Sequence, residues 1–148
     1  MADDAVVIER TFDAPVHVVW RMWTEPEHFS AWYGPAGATV VVAEMDVRVG
    51  GRRRVAMEVR TPDGPMRLSF TGEYLEVVDD ERLVYTDVMS AEHGAVPPPA
   101  GHTATEVRVE LHALGDRTRV VLTHLGVPPG SPGAAGWEMA LDQLAARL

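Results

Sequence analysis

PGAAGWEMALDQLAARL, residues Pro132–Leu148, is the stretch whose reading decides the fold. Trp137, Leu141, Leu144 and Leu148 recur at intervals of four, three and four residues, which puts them on one face of a helix. Ala134, Ala140, Ala145 and Ala146 favour that helix, and nothing from Trp137 onward breaks it. Ser131 and Pro132 supply its start, because a proline in the first turn gives up an N–H that has no partner there anyway. One amphipathic helix has to bury its Trp/Leu stripe, and the chain before it reads mainly as short strands. The stripe therefore packs on a sheet, and the sequence predicts an α+β fold in which a curved antiparallel sheet grips a long C-terminal helix.

Working back from the helix, the clearest hairpin is Thr105–Leu114 and Arg117–Gly126 around the two-residue turn Gly115-Asp116. If Leu114 pairs with Arg117, then Leu111 faces Val120, Val109 faces Leu122 and Val107 faces His124. That register leaves Glu106, Arg108, Glu110, His112 and Arg119 to solvent and turns His124 inward. Ser90 to His102, with Pro97-Pro98-Pro99, cannot hold a ladder and reads as a long loop that could serve as a lid. Earlier strands are expected at 38–47, 52–60, 66–78 and 83–89. Turns at Gly50-Gly51, Pro62-Asp63-Gly64-Pro65 and Asp79-Asp80-Glu81 separate them. In 83–89 the inward face is ambiguous between Leu83, Tyr85, Met89 and Val84, Thr86, Val88. At the N-terminus, Val6, Ile8 and Phe12 alternate on one side of a strand, with Arg10 on the same apolar side. Pro15 starts a helix carrying Val16, Val19, Trp20 and Trp23. Thr24 is the expected N-cap of a second short helix bearing Phe29, Trp32 and Tyr33, which Gly34-Pro35 ends.

Bulk properties narrow the classes. The 148 residues fit one domain, 1–148, with a single core. A formal net charge of -9 argues against nucleic acid or an anionic membrane surface as partner. The run Arg52-Arg53-Arg54 alternates across a strand and makes a poor basic patch. No apolar stretch approaches the ~20 residues that span a bilayer, so no membrane insertion is expected. With no signal peptide visible at the N-terminus, the expected location is cytoplasmic. The absence of cysteine excludes disulfides, thiolate catalysis and cysteine metal sites. None of the six histidines, His17, His28, His93, His102, His112 and His124, falls into a compact ligand pattern, so neither a metal nor a cofactor is expected.

Four phrases in order carry a family resemblance. They are RTFDAPVHVVWRMWTEPEHFSAWYGP (Arg10–Pro35), MDVRVGGRRRVAM (Met45–Met57), FTGEYLEVVDDERLVYT (Phe70–Thr86) and GWEMALDQLAARL (Gly136–Leu148). The chain resembles the START/Bet v 1-like (SRPBCC) superfamily, in the group similar to the C-terminal domain of the activator of Hsp90 ATPase. The resemblance implies a helix-grip fold: a seven-stranded antiparallel sheet around the C-terminal helix, with two small helices after the first strand. It also implies a hydrophobic cavity between sheet and helix, which holds apolar ligands in many relatives. Relatives include carriers, receptors, cyclases and a co-chaperone domain, so fold alone does not assign an activity.

Within that frame the aromatic residues are the informative set. A pocket walled by Trp23, Trp32, Met57, Phe70, Tyr74, Tyr85, Val109, Leu122, His124, Trp137, Leu141 and Leu144 would take a small apolar or aromatic ligand. Val55 would line the sheet side, and Met66, Met89 and Met139 would add adaptable lining. Arg10, His124, Asp87 and the phenols of Tyr74 and Tyr85 are its polar points. An inward Arg10 could meet a ligand carboxylate, snorkel to the sheet edge or pair with a buried acid. The alternatives are a cyclase- or aromatase-like enzyme using His124, Asp87 or a tyrosine as acid–base group, and a co-chaperone-like interaction module. An exposed Met or Trp edge would support a homodimer.

Overall fold

The computed structural model describes residues 5–92 and 105–148. Pattern and turn chemistry produce ten elements: β1 (Ala5–Phe12), α1 (Val16–Thr24), α2 (Pro26–Trp32), β2 (Thr39–Met45), β3 (Arg52–Thr61), β4 (Gly64–Val78), β5 (Arg82–Glu92), β6 (Thr105–Leu114), β7 (Arg117–Leu125) and α3 (Pro132–Ala146). The strands form one seven-stranded antiparallel sheet in the order β1-β7-β6-β5-β4-β3-β2. Strands β2 to β7 each lie beside their neighbour in sequence, whereas β1 and β2 occupy opposite edges. The α1–α2 pair must therefore carry the chain across the width of the sheet. In doing so it covers the end of the face on which α3 lies. Bulges at Val40/Val42 in the β2–β3 pairing and at Tyr74/Glu76 in the β4–β5 pairing add the bend that wraps the sheet.

The C-terminal helix buries the stripe read from its spacing: Trp137, Ala140, Leu141 and Leu144 are buried and Leu148 is partly so. Ser131 is its N-cap, with its Oγ accepting from the Ala134 N–H at 3.4 Å. The last hairpin has the register expected from its turn, with Leu114 opposite Arg117, Leu111 opposite Val120, Val109 opposite Leu122 and Val107 opposite His124. Three local expectations are corrected. The N-cap of α2 is Glu25, while the Thr24 hydroxyl donates to the Trp20 carbonyl and closes α1 instead. Strand β5 runs on through Ser90–Glu92, because β4 is long enough to pair with it as far as Arg67 opposite Glu92. The rest of the expected lid, 93–102, lies outside the described residues. Met89 and Met139 are each 37% exposed and line no interior wall. No helix among the described residues is long and apolar enough to cross a membrane.

The sheet is closest at Gly72. A Cβ there would lie 1.7 Å from the Thr86 carbonyl oxygen of β5, so no side chain fits. Gly72 pairs with Arg53 of β3, and on its other side it falls between the Thr71–Val88 and Tyr74–Tyr85 pairs of β4 with β5. It leaves a side-chain-free position between β3 and β5 on the inner face. Gly72→Ala is expected to lower stability by about 1–3 kcal/mol or more, because backbone has to move. Gly136→Ala meets nothing within 4 Å inside α3 and is expected to raise it by about 0.5–1 kcal/mol. Urea denaturation of the two variants checks both signs.

Candidate functional site

The inner face of the sheet and the stripe of α3 enclose an aromatic wall. The Trp23 and Trp137 rings stack with centroids 5.9 Å apart, and Trp32 meets Trp23 edge-on at 4.6 Å. Tyr33 links this group to the sheet, edge-on to Trp137 at 5.8 Å and to Phe70 at 6.3 Å. Val109 and Leu122 lie fully buried on the sheet side, opposed by Leu141 and Leu144 of the helix, and Met57 is also buried. Of the wall residues named from the sequence, Trp23, Trp32, Tyr74, Tyr85, Val109, Leu122, Trp137, Leu141 and Leu144 pack into one core, while Met57 is buried outside that cluster and His124 and Phe70 are half-buried. Two polar contacts set α2 against its neighbours. The Trp32 indole donates to the Met22 carbonyl at 2.8 Å, and the Gln143 amide donates to the Trp32 and Gly34 carbonyls at 2.9 and 2.8 Å. Gln143, unmarked in the sequence reading, caps the end of α2 from α3.

A charged pair lies beneath the aromatic wall. Arg53 and Asp87 are 2% and 3% exposed, and Arg53 Nη1 donates to Asp87 Oδ1. The pair spans the gap that Gly72 leaves open. Its guanidinium carbon sits 4.0 Å from the Tyr85 ring centroid and 5.6 Å from that of Phe29, so aromatic faces replace part of its lost hydration. Burial raises the Asp87 carboxyl above its ordinary value, with the Arg53 cation opposing the shift. Arg53 itself stays protonated, since the Asp87 carboxylate offsets the desolvation of the cation. Burial likewise raises the phenols of Tyr74 and Tyr85. Among the described residues, the hydroxyls of Tyr74 and Tyr85, Arg53 Nε and Trp23 Nε1 are buried without a hydrogen-bond partner.

Arg53 was missed because the run of three arginines reads only as a basic patch split between the two faces of a strand. The available signal was parity: Arg53 shares its face with Val55 and Met57.

His124 points inward and both ring nitrogens are engaged. The Trp137 Nε1–H can only donate, so at 2.9 Å it makes His124 Nδ1 the acceptor. The proton then sits on Nε2, which donates to Thr105 Oγ1 at 2.7 Å, and the Thr105 hydroxyl donates to the Asp87 carbonyl at 3.2 Å. This relay runs from α3 through β7 and β6 to β5, one donor per step. Burial, helped by the Arg53 charge, holds the His124 imidazole down at about 4. The inward face of Arg10 is as expected, but its partners are carboxylates of the helix. Arg10 binds Glu138 and Asp142 at 2.7 Å each, both well exposed, and so ties β1 to α3.

Two surface depressions stand out among the described residues. One of about 580 Å³ is lined by Arg52, Arg54, Thr71, Glu73 and Thr86 together with Arg53 and Gly72, so it reaches the strands that carry the buried pair, and one of about 370 Å³ lies between β1 and the start of α3.

Removing one member of the buried pair leaves the other charge unmatched. Asp87→Leu is expected to cost about 3–5 kcal/mol, and adding Arg53→Met should restore most of it. Chemical denaturation of the single and double variants provides the comparison. His124 sets a pH dependence of known sign. Its ordinary value is 6.5 and its folded value about 4, so the unfolded chain binds the extra proton between these limits. Its contribution is complete above pH ~6.5 and is lost as pH falls toward 4, on the order of 2 kcal/mol by pH 4.5. His124→Gln should show a correspondingly smaller loss of unfolding free energy between pH 7.5 and 4.5 than the wild-type protein.

The geometry has clear relatives. A protein of Chromobacterium violaceum superposes with a TM-score of 0.80 at 26% identity, covering 98% of this chain and 97% of that one. One from Nitrosomonas europaea gives 0.74 at 25% identity, with 99% and 94% covered. One from Arthrobacter aurescens gives 0.76 at 26%, with 96% and 84% covered. No match is found among curated proteins. The family model described as "Activator of Hsp90 ATPase homolog 1-like protein" matches residues 13–148. With that match, the seven-stranded sheet and the C-terminal helix in place, the chain belongs to the Activator of Hsp90 ATPase homolog 1-like family of the SRPBCC fold.

Proposed function

We propose that the protein binds a small apolar or aromatic molecule between the inner face of the sheet and α3. The observation that carries this reading is the meeting of an aromatic wall with buried polar groups that have no protein partner. An ordinary filled core avoids such groups, since each costs about 1–3 kcal/mol when unpaired. Trp23, Trp137 and Tyr33 offer ring faces for a planar or apolar body, while Tyr74, Tyr85 and Arg53 offer polar contacts beneath. Access is from the β4–β5 end, where Phe70 is half-buried and its partner Met89 is exposed. Binding asks the Tyr33 and Phe70 rings to swing aside, so the wall is also the door.

Turnover by acid–base chemistry fits this site less well than binding does. His124 has both nitrogens committed and a low proton affinity, and Asp87 is held by Arg53. A general base needs a free lone pair near its operating pH.

Native mass spectrometry of protein purified from its own host, with denaturing extraction of bound molecules, tests the reading. The expected outcome is a stoichiometric apolar or aromatic adduct that Trp137→Ala loses. A mass equal to the bare chain, with no small molecule in the extract, would count against tight binding.

A further inference from the structure

Donor census and charge balance say more about the ligand than shape does. Arg53, Tyr74 and Tyr85 are 2%, 1% and 1% exposed and lie on the inner face of three adjacent strands, β3, β4 and β5. Tyr74 and Tyr85 are directly paired across the sheet, their rings 5.8 Å apart, and the Arg53 guanidinium packs over the Tyr85 ring. Among the described residues, Arg53 Nε and the Tyr85 hydroxyl lack hydrogen-bond partners, and the Tyr74 hydroxyl, which lies close to the Arg53 guanidinium, has no acceptor for its own O–H. The guanidinium N–H can only donate, and each phenol has an O–H to give. Burial keeps those phenols protonated, so they remain donors across the physiological range. The interior thus presents donors in excess, and the complementary group is an oxygen acceptor.

Charge then chooses between acceptors. The Arg53 cation is already matched by Asp87. A ligand carboxylate would add a second, uncompensated negative charge beside Asp87 in a site with little water to screen it, which is costly. A carbonyl oxygen brings two lone pairs and no net charge.

We propose that the interior site selects neutral aromatic carbonyl compounds, placing the carbonyl oxygen on the donors of Arg53, Tyr74 and Tyr85 and rejecting the corresponding carboxylates. This rests on the ligand-binding reading above.

Three probes of similar size separate the possibilities: acetophenone, ethylbenzene, which replaces its carbonyl with a methylene, and benzoate. Their affinities for the full chain are measured at neutral pH by ligand-observed NMR and by intrinsic tryptophan fluorescence. Acetophenone is expected to bind about tenfold more tightly than either of the others, the scale of one hydrogen-bonded group against a buried unpaired one. Tyr85→Phe keeps the ring under Arg53 and removes one donor. It should shrink the advantage of acetophenone over ethylbenzene several-fold, by weakening acetophenone and by relieving ethylbenzene of an unpaired hydroxyl, and Tyr74→Phe provides the same comparison if that variant does not fold. Equal affinities for acetophenone and ethylbenzene, or benzoate binding most tightly, would overturn the carbonyl selection while leaving the binding reading intact. Failure of all three probes to bind would overturn both readings, leaving a filled core with buried hydroxyls. An unaltered preference for acetophenone in both Phe variants would overturn the assignment to these donors.

Discussion

The structure depends on placing one cation, Arg53, in the centre of an apolar interior. Its desolvation has to be offset on all sides at once: Asp87 supplies the countercharge, Tyr85 and Phe29 supply ring faces, and Gly72 supplies the space between strands. Asp87 and Tyr85 come from β5, Gly72 from β4 and Phe29 from α2, so the pair is satisfied only when β3, β4 and β5 are in register and α2 is docked. A one-residue slip of β3 would bring Arg52 or Arg54 inward in place of Arg53, but it would also bury Arg54 where Val55 packs or Glu58 where Met57 packs. The pair is therefore weak as a source of net stability, and register is set by the whole inner face of β3, because the alternatives carry an unpaired buried charge where Val55 or Met57 packs.

The helix is fixed to this centre by polar contacts as well as by its Trp/Leu stripe. Trp137 reaches Asp87 through His124 and Thr105, Gln143 holds the end of α2, and Arg10 clamps two carboxylates one turn apart on the outer side of α3. The first two are part-buried and directional, and they orient the helix about its axis. The Arg10 clamp is partly exposed and screened by salt, so it contributes less to stability, of order 1 kcal/mol or below. The sheet edge beside α3 is consequently held less firmly than the interior.

Much of the fold was legible because it rests on short-range periodicity. The α3 stripe needs only a repeat of three and four residues, and the β6–β7 register needs only alternation and the Gly115-Asp116 turn, where Gly115 adopts a φ of +67°. The inward face of His124 followed from that register. Its partners did not, since Trp137 lies on a helix whose placement no strand register dictates. Strand β5 was ambiguous for a physical reason: Leu83, Val84 and Tyr85 are all buried, so alternation carries no signal there. Arg53 was obscured by Arg52 and Arg54, and by the expectation that charges face water. Its partner is 34 residues away, a contact created by the β3–β4–β5 register rather than by any local motif.

What distinguishes this interior from a passive core is that its polar groups are unevenly satisfied. The His124 relay matches every donor with an acceptor and ends on a backbone carbonyl, so it has no capacity left for a guest. The Arg53–Tyr74–Tyr85 group, one strand away, retains donors without acceptors. Natural cores remove such groups cheaply, by a Tyr-to-Phe change that keeps the ring and discards the hydroxyl. Two adjacent tyrosines beside a buried cation keep a cost that packing alone does not require. The satisfied relay orients the helix, and the unsatisfied donors beside it are the feature on which the proposed binding reading rests.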